Sequence, residues 1–342
     1  GSFNHRALPV SDADMVSNLQ NLADPSKLPF TQVDWDPGWA ETILIAPVLK
    51  DRKFETAYNG VFPYSSDGLP LMGQAPTVDG LWVLECVWAT HSVGAARSLA
   101  QAICGIAPDI DFAPGDLTRF DNAELTRVDF EQRCDNAYVD TYAIHHPAEP
   151  SNSPRGVRMS PFYSEQEKLD AAFFDTSGWE RPRWYESNSN LLTGLNVTKR
   201  DEWSSRFWSP ISGAEHLKTR EVAGIFDMTS LRRINVTGPD AAAFLSKAAA
   251  RSVDREIGSV TYTLLLDHTG GIVSDVTISR LAVNRFLVGG NSPRDAIWLR
   301  SISAGYQVQI EDVTNGTCCV AVWGPAARDI LAPIIDTDLT NA

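Results

Sequence analysis

The stretch SVTYTLLLDHTGGIVSDVTISRL, residues 259–281, decides the fold of the last third of this chain. β-Branched and aromatic residues dominate both of its halves, a composition typical of strands at residues 260–266 and 272–281. Residues 267–271 end in two consecutive glycines, which favour a tight turn. The stretch therefore predicts two strands of a meander joined by a short turn.

Alternation along the second strand separates a candidate catalytic residue from its neighbours. Successive side chains of a strand point to opposite faces, so one face would carry Ile272, Ser274, Val276 and Ile278. Asp275 would project from the other face with Val273, Thr277 and Ser279. A carboxylate among such groups could line a cavity and orient or deprotonate an amine. The alternative is a solvated strand carboxylate, and the pattern alone leaves both readings open.

Regular patterning continues on both sides of this stretch. Residues 233–236 and 286–290 predict further strands, and Pro239 is expected as the first residue of a helix that runs to residue 249. A second helix is expected after Ser292, where Pro293 occupies the first helical position and Asp295 follows three residues after the cap. Residues 317–330 predict a strand, a turn at Gly324 and Pro325, and a new helix. These elements indicate a mixed, α+β fold.

The first third contains a strand, a tight turn and a helix that could receive a flat ligand. Residues 81–87 predict the strand, and residues 92–106 predict the helix, with small residues on one face: Gly94, Ala95, Ala96 and Ala100. The glycine-containing loop 67–73 and the helix start at 90–94 could hold an anionic flavin edge. A plain turn followed by a capped helix is the alternative. His91 is interpreted as a hydrogen-bonded structural histidine.

Residues 113–190 have few periodic runs and many proline, arginine and aspartate residues, which predicts an extended, loop-rich connecting layer. Its aromatic segment 179–185 is expected to pack domains together. Residues 1–9 resemble the end of a strand, and the helix predicted near residue 330 is soon followed by Ala342. We therefore expect an interior segment of a larger enzyme, interrupted within a domain at both ends.

Composition narrows the possible functions. The hydrophobic fraction of 43% is that of a globular protein, and the net charge of −14 comes without any basic block that could bind nucleic acid. No apolar run approaches the roughly 20 residues of a membrane span. The five cysteines include no C-x-x-C pair, so neither a disulfide framework nor a metal site is expected. We expect an intracellular protein of the cytoplasm or mitochondrial matrix, without a nucleic-acid or membrane partner.

At these residues the chain resembles dimethylglycine oxidase and the dimethylglycine and sarcosine dehydrogenases. The resemblance is colinear over nearly the whole chain. It is carried by GSFNHRALPV, NGVFPYSSDGLPLMGQAP, ECVWATHSVGAARSLAQAI, DLTRFD, SPRGVRMSPFY, GWERPRWYE, SPI, KTREVAGIFDMTSLRRINVTGPDAAAFL and the hairpin stretch quoted first.

The resemblance implies three parts. Residues 1–115 would be the C-terminal part of a DAO-type FAD domain, residues 116–195 a central connecting domain, and residues 196–342 the first half of a folate-binding domain similar to the glycine-cleavage T-protein. It implies the cofactors FAD and tetrahydrofolate and a small N-methyl amine as substrate. The amine would be oxidised by the flavin, and its one-carbon unit would pass to tetrahydrofolate.

The resemblance also assigns residues. On the FAD side, the matching positions are Gly68, Pro70, Thr90, His91, Ser92 and Gly94. On the folate side, Tyr262 matches a folate-contacting tyrosine, Asp275 the carboxylate that assists folate amine chemistry, and Asn291 a polar residue near the folate pocket. The T-protein pattern has two adjacent acids, whereas Ser274 replaces the first of them here.

No G-x-G-x-x-G dinucleotide loop occurs in this sequence, although the family's flavin domain opens with one. We therefore expect the isolated chain to be inactive and to bind FAD weakly at best. A second hypothesis is a naturally truncated, redox-inactive module that binds folate or another protein. A third, a folate-binding relative that modifies RNA, is disfavoured by the acidic charge.

Overall fold

The computed structural model describes residues 27–60, 63–111, 113–120 and 126–339. The chain divides into two compact units, the first formed by 1–117 and 126–144 and the second by 118–125 and 145–342. The strand end expected at residues 1–9 lies outside the described residues. Among the described residues, no helix is long and apolar enough to cross a bilayer.

The described part of the first unit contains short strands, three α-helices and a small core. Its elements are β1 (Lys27–Leu28), α1 (Gln32–Ile45), β2 (Asn59–Gly60), β3 (Leu71–Gln74), β4 (Trp82–Glu85), α2 (Ala89–Ile103) and α3 (Arg127–Val139). Strands β3 and β4 pair antiparallel, and Met72 packs with Ala95 and Leu99 of α2. The strand predicted at 81–87 is thereby confirmed as β4.

Helix α2 differs from its predicted form at both ends. It begins at Ala89 and ends at Ile103, because Gly105 adopts a φ of +70° and the N–H of Ile106 turns back to the carbonyl of Gln101. The expected small-residue face is wrong, since Ala95 is buried while the other small residues, Gly94, Ala96 and Ala100, are exposed.

The second unit is built around one antiparallel sheet. Its elements are α4 (Tyr163–Lys168), β5 (Ala171–Thr176), β6 (Trp179–Tyr185), α5 (Glu202–Ser205), α6 (Pro210–Glu221), β7 (Gly224–Asp227), β8 (Arg232–Thr237), α7 (Ala241–Ala248), β9 (Val260–Leu266), β10 (Ile272–Ala282), β11 (Arg285–Gly290), α8 (Pro293–Ser301), β12 (Gln309–Asp312), β13 (Val320–Trp323) and α9 (Ala327–Leu331). The five-stranded sheet has the order β12-β8-β11-β10-β9, and β5 with β6 and β7 with β13 form separate pairs.

Helices α7 and α8 cover one face of the five-stranded sheet. The core between these helices and the sheet contains Phe244 and Leu245 of α7, Leu299 of α8, and these strand residues: Ile234, Val236, Leu265, Val276, Ile278, Phe286 and Val288. Complete burial of a side chain such as Phe286 contributes about 1.5–3 kcal/mol. The opposite face carries exposed side chains, including Tyr262 and Asp275. The predicted meander and its two packed helices are thus confirmed.

Two sequence expectations in this unit are corrected. The helix expected from Pro239 begins at Ala241, because Gly238 adopts a φ of +134° and the Asp240 carboxylate accepts the N–H of Gln307, 2.8 Å away. A Cβ at Gly238 would lie 2.2 Å from Gln307 O, so only glycine fits this turn.

The predicted faces of β10 are also partly wrong. A β-bulge between Ile272 and Ser274 leaves Val273 without a partner on β9. The bulge reverses the alternation at the start of the strand, so Ile272 is exposed while Val273 packs against the core. Beyond it, Ser274, Val276 and Ile278 share one face as predicted, and the structure shows that this face is buried.

The segment 113–190 is more regular than the predicted loop-rich layer, since it contains α3, α4 and the β5–β6 hairpin. The aromatic stretch is strand β6. Its Trp179 ring lies under the Arg158 guanidinium at 4.0 Å, and its Glu180 carboxylate accepts hydrogen bonds from Arg155 and from the N–H of Gly156. The residues of this strand, WERPRWY, show no alternation of apolar and polar side chains, which is why the pattern resembled a loop.

Candidate functional site

Three predicted folate-side residues meet on the open face of the five-stranded sheet. Strand β10 presents Asp275, the neighbouring strand β9 presents Tyr262, and Asn291 lies between β11 and α8. Tyr262 Oη donates to Asp275 Oδ2 at 3.0 Å, and Asn291 Nδ2 donates to Asp275 Oδ1 at 2.9 Å. Residues far apart in the sequence thus form one hydrogen-bonded cluster, which we call the Asp275 cluster.

Asn291 holds this carboxylate through the NH₂ of its side-chain amide. Besides Asp275 Oδ1, its Nδ2 donates to the backbone carbonyl of Asp275 at 2.8 Å, and Ser274 Oγ lies 3.4 Å away. Both amide protons therefore point to β10, while the Asn291 side-chain oxygen accepts no hydrogen bond from the described residues. Ser274 contacts the cluster through this weak hydrogen bond.

The electrostatics of the cluster favour a ligand that donates hydrogen bonds. The hydrogen bond to Asp275 and the negative charge of that carboxylate raise the pKa of Tyr262 above its ordinary value of 10.0, so the phenol remains a donor at neutral pH. Each Asp275 oxygen accepts one of these two neutral donors and can accept more. The cluster consequently presents oxygen acceptors and a net negative charge beside the Tyr262 ring, which is 62% exposed.

The predicted FAD-side residues lie in the first unit. Gly68 adopts a φ of +72° and closes a turn in which its N–H donates to Ser65 O at 3.2 Å, and Pro70 leads from this turn into β3. Thr90, His91 and Ser92 occupy the first turn of α2, which no side chain caps. Ser92 Oγ donates to Ala89 O at 2.8 Å.

These positions fit an anionic, flat group. The first turn of a helix carries partial positive charge at its N–H groups, although the N–H of His91 already donates to Trp88 O at 2.9 Å. A Cβ at Gly94 would meet nothing within 4 Å, so the surface beside this turn is open. The core contacts of Met72 with Ala95 and Leu99 place loop 67–73 and the start of α2 in one unit, and the expected FAD contacts of these residues stay predictions.

One contributor to the Asp275 cluster was not foreseen from the sequence. Asp295, expected only as a helix-capping residue, accepts the N–H of Asn291 at 2.6 Å as well as that of Ser292 at 3.1 Å. The signal available in the sequence was the pair Gly289-Gly290 directly before Asn291, since glycines mark close approach of other atoms to the backbone. Among the described residues, no group of three His, Cys, Asp or Glu side chains could hold a metal ion.

Comparison with known proteins matches two domain families to consecutive parts of the chain. Residues 107–160 match the FAD dependent oxidoreductase central domain. Over 303 residues the chain is 27% identical to 4-methylaminobutanoate oxidase (formaldehyde-forming) of Paenarthrobacter nicotinovorans, covering 87% of this chain and 36% of the relative. It is 26% identical to the mitochondrial sarcosine dehydrogenase of Homo sapiens over 337 residues, covering 86% of this chain and 37% of the relative. The chain therefore spans about a third of the length of these relatives.

A third relative covers about half of the chain. The aminomethyltransferase of Herpetosiphon aurantiacus is 36% identical over 189 residues, covering 54% of this chain and 46% of the relative. Residues 162–342, which are more than half of the chain, match the GCVT N-terminal domain family. The resemblance to sarcosine and dimethylglycine dehydrogenases is thus confirmed, and the chain belongs to the GCVT N-terminal domain family.

Proposed function

We propose that this chain belongs to an FAD- and tetrahydrofolate-dependent enzyme that demethylates a small N-methyl amine, such as dimethylglycine or sarcosine, and that its second unit binds tetrahydrofolate at the Asp275 cluster. The observation that carries the proposal is the convergence of Tyr262 and Asn291 on the Asp275 carboxylate. The matches to an FAD oxidoreductase central domain and a GCVT domain support the pairing of the two chemistries.

The cluster has the chemistry that a folate amine requires. Tetrahydrofolate carries N–H donors, and the Asp275 oxygens and the Asn291 side-chain oxygen are acceptors on an open face. Asp275 would orient such an amine and accept a proton from it, while Tyr262 and Asn291 hold the carboxylate in one orientation. Bound tetrahydrofolate would supply the acceptor for the one-carbon unit released from the oxidised amine.

On the flavin side, this chain would contribute the loop with Gly68 and Pro70 and the first turn of α2 with Thr90, His91, Ser92 and Gly94. Bound FAD would supply the oxidation of the N-methyl amine. The uncapped helix N-terminus would stabilise negative charge on a bound ring system. The open surface at Gly94 leaves space for close approach of that ring.

Calorimetric titration of tetrahydrofolate into the 342-residue chain, under argon, tests the folate proposal. Loss of a charged acceptor costs roughly 1.5–3 kcal/mol, so Asp275→Ala should raise Kd by about 10- to 100-fold. Glu311→Gln is the matched control, because Glu311 is an exposed acid on the edge strand β12 of the same sheet and should leave Kd unchanged. No heat with wild type, or equal Kd for wild type and Asp275→Ala, would refute folate binding at this cluster.

A further inference from the structure

The buried carboxylate of Asp295, in the first turn of α8, lies behind the Asp275 cluster and binds the turn that follows β11. Asp295 is 2% exposed, and its Oδ2 accepts the backbone N–H groups of both Asn291 and Ser292. A capping residue needs only the hydrogen bond to Ser292, the N-cap of α8. The shorter hydrogen bond, 2.6 Å to Asn291, serves the residue whose side chain binds Asp275.

The backbone next to this carboxylate is shaped to admit it. Gly290, the last residue of β11, is buried, and a Cβ there would lie 2.5 Å from Asp295 Oδ2 and 3.3 Å from its Cγ. A methyl group at Gly290 would therefore force the Asp295 side chain away from the Asn291 N–H. The Asp295 carboxylate fills the space that glycine leaves at the end of the strand.

Asn291 is thus fixed at two points. Its backbone N–H is held by Asp295, and its side-chain amide spans to β10, where it binds both the carboxylate and the backbone carbonyl of Asp275. Because the side chain is short, a shift of its backbone would move the amide out of hydrogen-bonding distance from Asp275. We propose that Asp295 is a positioning residue for the folate site, acting through Asn291 on Asp275, and that Gly290 is required for this arrangement.

This inference rests on the proposed function for its ligand but has a readout of its own. In protein labelled with ¹⁵N-asparagine, the side-chain amide signal of Asn291, assigned by its loss in Asn291→Ala, reports the hydrogen bond to Asp275. Asp295→Ala should shift this signal, and Gly290→Ala should shift it in the same direction. An unmoved signal in Asp295→Ala would overturn the positioning role, whether or not tetrahydrofolate binds.

Binding provides the second test, through a double-mutant cycle. Asp295→Ala should raise the Kd for tetrahydrofolate about fivefold to 30-fold in wild type and less than about twofold in the Asn291→Ala background, because coupled residues are not additive. Equal losses in the two backgrounds would show a merely structural role and overturn the proposal. Absence of tetrahydrofolate binding by wild type, together with a shifted Asn291 signal, would refute the proposed function and leave the positioning of Asn291 established.

Two variants control for simple loss of the helix cap. Asp129→Ala removes the equivalent carboxylate from the capping box of α3, where it accepts from Thr126, and should change neither Kd nor the Asn291 signal. Asp295→Asn keeps an oxygen acceptor at the same position, so the Asn291 signal should return toward its wild-type position even if Asp295→Ala folds poorly. Failure of this conservative variant to restore the signal would contradict the hydrogen-bond mechanism.

Discussion

Replacement of Arg233 by methionine should strongly destabilise the second unit. Arg233 lies in β8 and is 7% exposed. Its guanidinium is surrounded by backbone carbonyl oxygens. Its Nη2 donates to Thr229 O at 3.0 Å, Thr314 O at 2.9 Å and Thr317 O at 3.1 Å, and its Nη1 donates to Leu231 O at 2.7 Å. Methionine keeps the apolar stem but cannot donate to any of these oxygens.

The magnitude follows from the carbonyls that lose their donor. The hydrogen bonds to Thr229 O and Thr314 O are buried, and Thr314 O would keep only a long hydrogen bond, 3.4 Å from the N–H of Thr317. A buried acceptor that loses its donor costs about 1–3 kcal/mol. Two such losses, with smaller costs at the partly buried oxygens, predict a decrease of about 3–5 kcal/mol in the free energy of unfolding. Arg233→Lys should be intermediate, because an ammonium group has three donors in place of a planar fork.

Urea unfolding followed by circular dichroism measures this effect, and hydrogen exchange of peptides from β8 and β11 locates it in the second unit. Arg285→Met is the matched control, since exposed Arg285 makes one long hydrogen bond, 3.3 Å from Nε to Asn235 Oδ1. Its unfolding free energy should change by less than about 0.5 kcal/mol. A loss below about 1 kcal/mol for Arg233→Met would refute the argument that this guanidinium satisfies the carbonyls around it.

Three further predictions concern reactivity, pH and cofactor retention. Burial, together with the charge of Asp135, raises the pKa of the Cys134 thiol to about 11, so iodoacetamide at pH 8 should label exposed Cys318 well before Cys134, as peptide mass spectrometry would show. Burial of Asp227 opposes its ionisation, but hydrogen bonds from Ser160, Thr229 and Gln166 outweigh it and hold its pKa below the ordinary 3.8. Asp227 therefore stabilises the fold above about pH 4, and the stability difference between wild type and Asp227→Asn should shrink as pH falls below 3.8; a difference unchanged between pH 7 and pH 3 would contradict this. Because the sequence lacks a G-x-G-x-x-G loop, the purified chain should show no flavin absorbance, and a yellow preparation would refute that expectation.

Local pattern was enough to predict much of the second unit. Residues 259–281 predicted both strands of the β9–β10 hairpin within one residue, because period-2 alternation and a glycine-ended turn are local signals. The cap at Ser292 was predicted for the same reason. The order of the short motifs along the chain also indicated the family. That inference depends on residue identity and spacing, and not on the three-dimensional structure.

Long-range contacts explain where the sequence was insufficient. The β-bulge at Val273 turns that side chain toward the core and exposes Ile272, the reverse of the simple alternation. Strand β6 is polar but regular, because Arg155 hydrogen-bonds to its Glu180 and Arg158 lies over its Trp179 ring. No window of the sequence contains both partners of these contacts.

The Asp275 cluster shows most clearly which features local sequence predicts and which depend on long-range contacts. The sequence by itself determined that a carboxylate would project from the second strand of a hairpin, since that depends on alternation alone. Only the tertiary structure decided that Tyr262, Asn291 and, behind Asn291, Asp295 converge on it, because strand pairing and the β11–α8 turn bring together residues separated by 13 to 16 positions in the sequence. Hydrogen bonds of this kind depend on distances in space, which a linear pattern does not encode.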